Sequence, residues 1–225
     1  MVYRQNARSE AVRAESRERI LQAAMKLFVE RGYDATTMQD IVAEAGTSIG
    51  NAYFYFGSKE RLVSEMIEAA AHAALDESER AASAIPPGPA RIGAMIAARV
   101  GSFMGPSQGL GKLLLATDQR LGTVQIVEDI TIGRWIEQVA VSFPERRADD
   151  LPAIAAAIWG VNRVIIQRVL QGKLQMDQAA VVRFAVRWSL RALDVPEPEI
   201  QSIIRSSLRR GVFRDGRTGK RAGGK

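Results

Sequence analysis

Residues 48–60 read SIGNAYFYFGSKE and decide the fold of the N-terminal part of the chain. Four aromatic residues, from Tyr53 to Phe56, stand in a row in a chain that is only 6% aromatic. Because four consecutive side chains cannot share one face of a helix, some of these rings must point away from a core. Ser48 is a favourable N-cap residue, so the stretch predicts a short helix with small polar residues at its start.

The residues on both sides of this stretch predict further helices. The segment SRERILQAAMKLFVERG, residues 16–32, has apolar side chains at helical spacing and ends on a glycine. The segment TMQDIVAEAG, residues 37–46, predicts a shorter helix that also ends on a glycine. Ser58 can cap a fourth helix that runs on for several turns. Two short helices separated by AGTS are typical of a helix-turn-helix unit, in which one helix enters the major groove of DNA.

The rest of the chain also reads as helices, and no segment alternates like a β-strand. IPPGPA, residues 85–90, is the clearest break, because proline and glycine interrupt helices. The predicted fold class is all-α: an N-terminal three-helix helix-turn-helix domain joined by a long helix to a larger helical domain. Beyond the break we expect helices near 90–104, 111–121, 122–142, 150–172, 177–194 and 197–210.

These breaks also predict the domain boundaries. The formal net charge is +6, but the residues after 204 hold eight basic side chains against Asp215 alone, so the rest of the chain is close to neutral. A glycine-rich basic end is typical of a solvated, disordered terminus, and a non-specific nucleic-acid contact is the alternative. The expected parts are an N-terminal arm at 1–15, the helix-turn-helix domain at 16–62, the larger domain at 63–210 and a basic tail at 211–225.

Composition excludes several kinds of catalytic and metal site. The 225 residues include no cysteine and one histidine, which excludes disulfides, thiolate metal sites and most histidine sites. His72 lies between Glu68 and Asp76 at helical spacing, but such a group on an exposed helix is usually solvated, so we expect no metal and no cofactor. No signal peptide is recognisable, and the longest apolar run, around LPAIAAAIWGV, is broken by Asn162 and Arg163 and reads as too short to span a bilayer. We therefore expect a cytoplasmic protein.

From about Ser16 to Met66 the sequence resembles the TetR family of transcriptional repressors. The resemblance rests on LFVERGYDATT, then IVAEAG, then SIGNAYFYFGSKERL, a continuous pattern that is more specific than a lone helix-turn-helix. It implies a homodimer that binds a double-stranded, pseudo-palindromic DNA operator and a small-molecule effector of unknown identity. Val42 stands where a small residue is common in the family, and Thr47 where an aliphatic one is usual, so the angle between the two short helices is open.

The resemblance assigns two roles to the aromatic residues and their neighbours. Phe54 and Phe56 look like core residues that lock the recognition helix in place. Phosphate contacts position such a protein on DNA without reading its sequence. The residues expected to make them are Thr37, Tyr53, Tyr55 and Lys59.

Base reading is expected from the start of the second short helix. Gly50 weakens a helix interior by about 1 kcal/mol against alanine, a cost that close approach to DNA would justify. Asn51 can pair bidentately with adenine, and its alternative is a solvated helix residue. Ile49 can meet a thymine methyl group or pack inward, and the sequence favours neither. The expected base-reading residues are Ser48, Ile49, Gly50 and Asn51, with Gln39 as a further contributor.

The N-terminal arm is rich in arginine. Contact with the minor groove or phosphates is one interpretation, but glutamates interleave, so a solvated helical extension is equally consistent. The arginines concerned are Arg4, Arg8, Arg13, Arg17 and Arg19.

Two helices near the C-terminus fit the four-helix interface through which TetR-like proteins pair. The predicted helices 150–172 and 177–194 are each apolar on more than one side, so each must be buried twice. A dimer would place two recognition helices on half-sites about one turn of DNA apart. The candidate interface residues are Leu151, Ile154, Ile158, Val161, Ile165, Phe184, Ala185, Trp188 and Ala192.

A ligand pocket in the larger domain is expected by analogy with the family. The pair Asn162–Arg163 inside an apolar helix is the sharper signal, although it can equally be an interfacial hydrogen-bonding pair. For each apolar candidate the alternative is an ordinary core residue. The candidates are Met95, Phe103, Met104, Leu114, Trp135, Trp159 and Ile166, with Gln138, Asn162 or Arg163 fixing a polar group.

The predicted function is therefore a homodimeric, sequence-specific DNA-binding transcriptional regulator, a repressor that a small-molecule ligand releases from its operator. The alternatives are sequence-independent DNA binding through the basic tail and an all-α enzyme with a docking module. No convergent set of titratable groups is visible, so we expect no enzyme activity.

Overall fold

The computed structural model describes residues 2–105 and 108–209, and within these ranges every regular element is helical. The all-α prediction is confirmed, and the predicted basic tail at 211–225 lies outside the described residues. A short 3₁₀ turn, Ala148–Asp150, precedes α8. The helices are α1 (Val2–Arg31), α2 (Met38–Ala45), α3 (Ile49–Phe56), α4 (Lys59–Ala82), α5 (Pro89–Met104), α6 (Gln108–Leu121), α7 (Thr123–Ser142), α8 (Leu151–Leu170), α9 (Gln178–Ala192) and α10 (Glu197–Arg209).

Local sequence signals set the ends of the short helices. Thr37 caps α2 through a capping box, and Ser48 caps α3 by accepting the backbone N–H of Asn51 at 3.2 Å. Gly46 ends α2 in the left-handed conformation with φ of 62°. Ser58 accepts the backbone N–H of Arg61 and so caps α4, as the sequence predicts. The predicted N-terminal arm is not a separate segment, because α1 begins at Val2.

The chain divides into two compact units. Unit 1 consists of the residues up to His72 together with Gly109–Ile130, and unit 2 consists of Ala73–Gln108 with the residues from Thr131 onward. The division differs from the predicted domain boundaries, since α6 and the start of α7 fall in unit 1.

In unit 1, α1 packs against both α2 and α3. Its core contains side chains from four helices that are at most 1% exposed, and removing that much apolar surface from water is its main source of stability. These include Ile20, Leu27, Ile41, Phe56 and Leu62.

In unit 2, α5 is the central helix and packs against α8, α9 and α10. Gly93 allows a close approach of α5 and α10, since a Cβ atom built there would come within 2.4 Å of Ile203 Cγ2. The largest fully buried side chains of this unit include Ile92, Met95, Ile96, Ile158 and Leu190.

One helical stretch among the described residues, Ala148–Leu170, has the length and composition of a membrane span, with a mean hydropathy of 1.4. The expectation that this apolar run is too short was therefore wrong as to length. A helix of a soluble protein can have the same length and composition; only 22% of this stretch is buried, and Leu151, Ala155 and Ile158 are among its residues that lie in the core of unit 2.

Candidate DNA-binding surface and ligand cavity

One face of α3 is exposed and carries no ionisable group other than a tyrosine hydroxyl. Ile49, Gly50, Tyr53 and Phe54 lie four residues apart in two pairs, so they share one side of the helix. The exposed fractions are 38% for Ile49, 48% for Tyr53 and 72% for Phe54. No atom lies within 4 Å of a Cβ built on Gly50, so packing within the unit does not require a glycine there.

The prediction that Phe54 is a core residue was wrong. Ala52 and Phe56 are fully buried and lie one turn apart, so they define the inward face of α3. Phe54 lies between them in sequence and therefore on the opposite side, where its ring meets the Tyr55 ring edge-on at 5.3 Å. The consequence is a large aromatic side chain on the outer surface of the helix.

Asn51 is occupied inside unit 1 and is not placed to read a base. Its Nδ2 donates to Ser16 Oγ at 2.8 Å and to Thr47 Oγ1 at 2.9 Å, which uses both amide hydrogens. Bidentate pairing with adenine would need one of these hydrogens back. The prediction for Asn51 is therefore corrected: it joins α1 to α3. Its partner Ser16 lies 35 residues away in sequence, so no local sequence pattern predicted this contact.

Lys59 also makes internal contacts. Its Nζ donates to the backbone oxygens of Tyr33 at 3.0 Å and Thr36 at 2.9 Å, and it lies 4.0 Å from the centre of the Tyr33 ring. Two of the three ammonium hydrogens are thus used to hold the loop between α1 and α2. At most one hydrogen is left for a phosphate.

Thr37 and Asp40 form a closed pair at the start of α2. The Asp40 carboxylate accepts both the Thr37 hydroxyl at 2.6 Å and the Thr37 backbone N–H at 2.8 Å, while the Thr37 oxygen accepts the Asp40 N–H at 3.1 Å. These bonds from the Thr37 side chain and backbone hold the pKa of the Asp40 carboxyl below its usual value. Both groups are solvent-accessible, so Thr37 reaches a phosphate only by exchanging its partner.

The remaining predicted DNA contacts lie at the surface. Gln39, Ser48 and Tyr53 are exposed, and Tyr55 is half-buried. Arg13 and Arg19 of the predicted arm are exposed, whereas Arg17 is paired with Glu65 and stacks on Phe56, so it is held within the unit. The side chains of Arg4 and Arg8 lie outside the described residues.

Unit 2 contains a small cavity between α5, α7 and α8, with a volume of about 20 Å³. This is enough space for one water-sized group. The structure brings six of the predicted pocket residues together here: Phe103, Trp135, Trp159, Asn162, Arg163 and Ile166.

The other predicted pocket residues are corrected. Met95 is a core residue only 2% exposed, and neither Met104 nor Gln138 lines the cavity. Leu114 belongs to unit 1. Sequence reasoning also missed four residues that line the cavity: Ile96, Arg99, Val100 and Ile158. The cavity is lined by three helices, and the sequence does not show which of their faces meet.

Arg99 is the most unusual residue of the cavity. Its side chain is buried, its Nη2 donates to Thr131 Oγ1 at 3.0 Å, and its Nε and Nη1 have no partner. The guanidinium carbon lies 5.1 Å from the centre of the Phe103 ring and 5.7 Å from that of Trp159. Burial lowers the pKa of Arg99 to about 10. The only signal in the sequence was an arginine inside the apolar run IGAMIAARVGSFM.

Three of the predicted interface residues are corrected by their burial. Leu151, Ile158 and Ala185 lie in the core of unit 2, so a partner subunit cannot reach them. They face inward because they alternate at helical spacing with the exposed positions of the same helices.

The other interface candidates lie nearer the surface. Ile154, Ile165 and Trp188 are partly buried and pack on the core, and Val161 is partly exposed. Phe184 and Ala192 are exposed, as is Val164, which the sequence analysis missed. The outer sides of α8 and α9 thus keep apolar surface in contact with solvent.

No metal site is evident in the described parts of the chain, where no three acidic or histidine side chains converge. His72 is exposed on α4.

Comparison with known proteins gives a consistent result. Residues 20–66 match the family described as bacterial regulatory proteins, tetR family. The HTH-type transcriptional repressor KstR2 of Mycolicibacterium smegmatis is 43% identical over 54 residues, which cover 24% of this chain and 26% of that protein. Such matches span about a quarter or less of the length of the curated relatives.

Solved structures extend the likeness to most of the chain. A structure described as a putative TetR-family transcriptional regulator from Mesorhizobium loti has a TM-score of 0.64 at 21% identity, covering 81% of this chain and 96% of that one. RolR in complex with resorcinol has a TM-score of 0.66 at 18% identity, covering 87% and 95%. At such identities the likeness shows the fold. Residues 20–66 thus resemble the TetR-type DNA-binding domain in sequence, and most of the chain shares its fold with these solved structures.

Proposed function

We propose that the protein is a homodimeric, sequence-specific DNA-binding transcriptional regulator, and that a small-molecule ligand in unit 2 releases it from its operator. The observation that carries the proposal is the exposed face of α3 within a TetR-type helix-turn-helix domain. KstR2 and the Mesorhizobium loti protein reported above are described as a transcriptional repressor and a putative transcriptional regulator. Such a protein works in the cytoplasm, where the DNA is.

The exposed face of α3 favours recognition of DNA bases by shape and apolar contact. Ile49 and Phe54 offer apolar surface to thymine methyl groups, and Gly50 lets the backbone come close to the base edges. Ser48 adds a hydroxyl, whose oxygen already accepts from Asn51. Gln39 is the exposed amide that can pair with a base from α2.

Phosphate contacts would position α3 in the groove. Tyr53 is the best candidate, because it is exposed and lies beside the apolar face. Tyr55, Thr37 and Lys59 are the next candidates for phosphate contacts. Thr37 and Lys59 already donate hydrogen bonds inside unit 1, which limits the hydrogen bonds that they can donate to phosphate.

The exposed apolar surface of α8 and α9 supports dimerisation. Val161 and Val164 lie on one side of α8, and Phe184 and Ala192 lie on one side of α9. Pairing two copies would bury these side chains and place two α3 helices on one pseudo-palindromic operator.

Ligand release would use the cavity of unit 2. A ligand that binds better to the conformation with low DNA affinity shifts the population toward it. RolR, a protein of the same fold, is described in complex with resorcinol. The helix α4 runs from one unit into the other, so it is the element through which we expect the two sites to be coupled.

DNA binding is tested by titrating labelled DNA from the region upstream of the gene, with unrelated DNA of equal length beside it, at several salt concentrations. We expect preference for the upstream DNA and weaker binding by Tyr53→Phe. Tyr33→Phe is the matched control, because that buried hydroxyl donates to Glu60 within unit 1. Equal, steeply salt-dependent binding to both DNAs would favour the sequence-independent alternative.

The proposed contact of Ile49 and Phe54 with thymine methyl groups is tested by replacing thymines of the operator with uracils one at a time, which removes only the methyl group. We expect one or two positions at which this weakens the wild type, and at which Ile49→Ala or Phe54→Ala no longer responds. Uniform indifference to uracil would show that these side chains do not read thymine.

Dimerisation is tested by sedimentation of two matched variants in unit 2. Val164 on α8 and Val141 on α7 are both exposed valines. Val164→Asp is expected to shift the protein to a monomer, whereas Val141→Asp is expected to leave a dimer. A dimer in both variants would remove this side of α8 from the interface.

A further inference from the structure

Arg99 is a buried cation for which the described residues supply no counter-ion. Its side chain is buried on α5, its one hydrogen bond goes to a neutral hydroxyl, and burial alone accounts for the lowering of its pKa. None of the carboxylates whose side chains the structure describes forms an ion pair with it. Arg134 on α7 shows the contrast, since it is paired with both Asp76 and Glu79.

An uncompensated buried charge is costly. Taking a charged group out of water costs several kcal/mol unless a counter-charge and hydrogen bonds replace the water. A cavity water would satisfy one or two hydrogens of Arg99, but it would leave the charge unbalanced. The two rings beside the guanidinium offset only part of this cost.

The other unpartnered polar atoms of the cavity residues are mostly donors. Trp159 Nε1 and Arg163 Nε are buried without a partner, and both can only donate. Asn162 Oδ1 is the one unpartnered acceptor, and its amide nitrogen donates to Ser189. A ligand that satisfies this set must present several acceptors and carry negative charge.

The rest of the lining is apolar. Trp135 and Ile158 are buried in the core, while Phe103 is partly exposed and so provides a wall that can move. The cavity volume of about 20 Å³ is space for one water-sized group, so a carboxylate enters only if the partly exposed Phe103 side moves outward. The body of a larger ligand must therefore enter past the partly exposed side.

We propose that the cavity of unit 2 binds a small carboxylate with an apolar body, whose carboxylate pairs with Arg99 and accepts from Trp159 and whose body lies against Phe103. The proposal rests on the effector role assigned to this unit above and names the chemical class of the effector. A planar guanidinium matches a carboxylate in geometry as well as in charge.

The test uses the purified full-length protein without DNA, so that it does not depend on whether an operator is known. The probes are benzoate and hexanoate, their neutral counterparts benzamide and hexanamide, and chloride. Binding is measured by calorimetry and by the fluorescence of the tryptophans, two of which line the cavity. We expect the carboxylates to bind, and the amides and chloride to fail.

Two arginine variants locate the site. Arg99→Met removes the charge and keeps much of the volume, and Arg205→Met removes an exposed arginine of α10 in the same unit. We expect Arg99→Met to lose roughly ten- to a hundred-fold in carboxylate affinity, as for a charge-assisted hydrogen bond, and Arg205→Met to bind as the wild type does. Without ligand, Arg99→Met should melt at or above the temperature of the wild type, because it no longer buries an unpaired charge.

Several results would overturn the proposal. One is equal binding of benzoate and benzamide to the wild type, and another is binding of chloride alone. Unchanged carboxylate affinity in a folded Arg99→Met protein would place the anion elsewhere. If Arg99→Met does not fold, Trp159→Phe removes a single donor and must weaken benzoate binding, whereas Arg205→Met must not; unchanged benzoate affinity in Trp159→Phe would refute the proposed pose. A protein that binds benzoate but no operator would leave this proposal standing and refute the regulatory one.

Discussion

The two units differ in whether their buried polar groups have hydrogen-bond partners. In unit 1 the polar side chains named above have partners within the unit: Asn51 bonds to Ser16 and Thr47, and Lys59 holds two backbone carbonyls. Among the described residues, eight buried side-chain nitrogen and oxygen atoms have no hydrogen-bond partner, and all eight lie in unit 2. Five of them belong to residues that line the cavity.

This difference indicates how each unit is expected to work. Native structures leave few buried polar groups unpaired, so a cluster of them needs an explanation. Unit 1 is complete without a ligand, and its functional surface is the outer, mostly apolar side of α3. Unit 2 is incomplete around Arg99, as expected of a unit that gains partners when it binds a ligand.

The largest expected effect separates two neighbouring phenylalanines of α3. Phe56 is fully buried and Phe54 is 72% exposed. Phe56→Ala should destabilise unit 1 by about 3–5 kcal/mol, because it leaves a cavity in the core. Phe54→Ala should leave the unfolding transition nearly unchanged and weaken operator binding. Urea unfolding and DNA titration on the same preparations measure both. A large loss of stability in Phe54→Ala would contradict the outward placement of its ring.

This pair also shows what the sequence could predict. Local signals such as Thr37, Ser48 and Gly46 gave the helix ends correctly, since caps act over three or four residues. The family pattern gave the helix-turn-helix. It did not predict that Phe54 is exposed. The prediction placed Phe54 and Phe56 in one core, although residues two apart on a helix point to opposite sides.

The internal contacts of the site could not be predicted. The bonds from Asn51 to Ser16 and from Lys59 to Tyr33 join residues 35 and 26 positions apart, and only the packed helices bring them together. Arg99 was missed for the same reason, since one arginine in an apolar helix does not reveal whether it reaches solvent or a cavity.

The next largest effect tests how tightly unit 2 is packed away from the cavity. Gly93→Ala forces a Cβ to within 2.4 Å of Ile203 Cγ2 in the core, so it should destabilise the unit by about 1–3 kcal/mol. Gly133→Ala on α7 is the matched control, because nothing lies within 4 Å of its Cβ. It should stabilise by up to about 1 kcal/mol through helix propensity. Equal melting temperatures for the two variants would show that α5 moves away from α10 at little cost.

An effect of similar size shows how much Lys59 contributes to the stability of unit 1. Lys59→Met leaves the carbonyls of Tyr33 and Thr36 without this donor, so we expect a loss of roughly 1–3 kcal/mol in urea unfolding. Lys26→Met is the control, because its ion pair with Glu44 is exposed and should contribute little. If Lys59 were only a phosphate contact, its removal would leave stability unchanged and lower the slope of DNA affinity against salt by about one.

The smallest effect is a pH dependence at the start of α2. The bonds from Thr37 depress the pKa of Asp40 in the folded protein below its ordinary value of 3.8. The ionised carboxylate therefore adds stability that is fully present above that value and is lost as the pH falls through the lower, folded pKa. The melting temperature of the wild type should exceed that of Asp40→Asn at neutral pH, and the difference should vanish in acid.

Glu30→Gln, at an exposed position on α1, controls for the loss of one negative charge. A difference between wild type and Asp40→Asn that stays constant into acid would mean that the capping box does not depend on the charge of Asp40. Thr37 would then be held less firmly, and its hydroxyl would be freer to bind a phosphate than the closed pair allows. The polar groups of unit 1 would in that case be less completely satisfied among themselves, and the contrast with the cavity of unit 2 would be weaker.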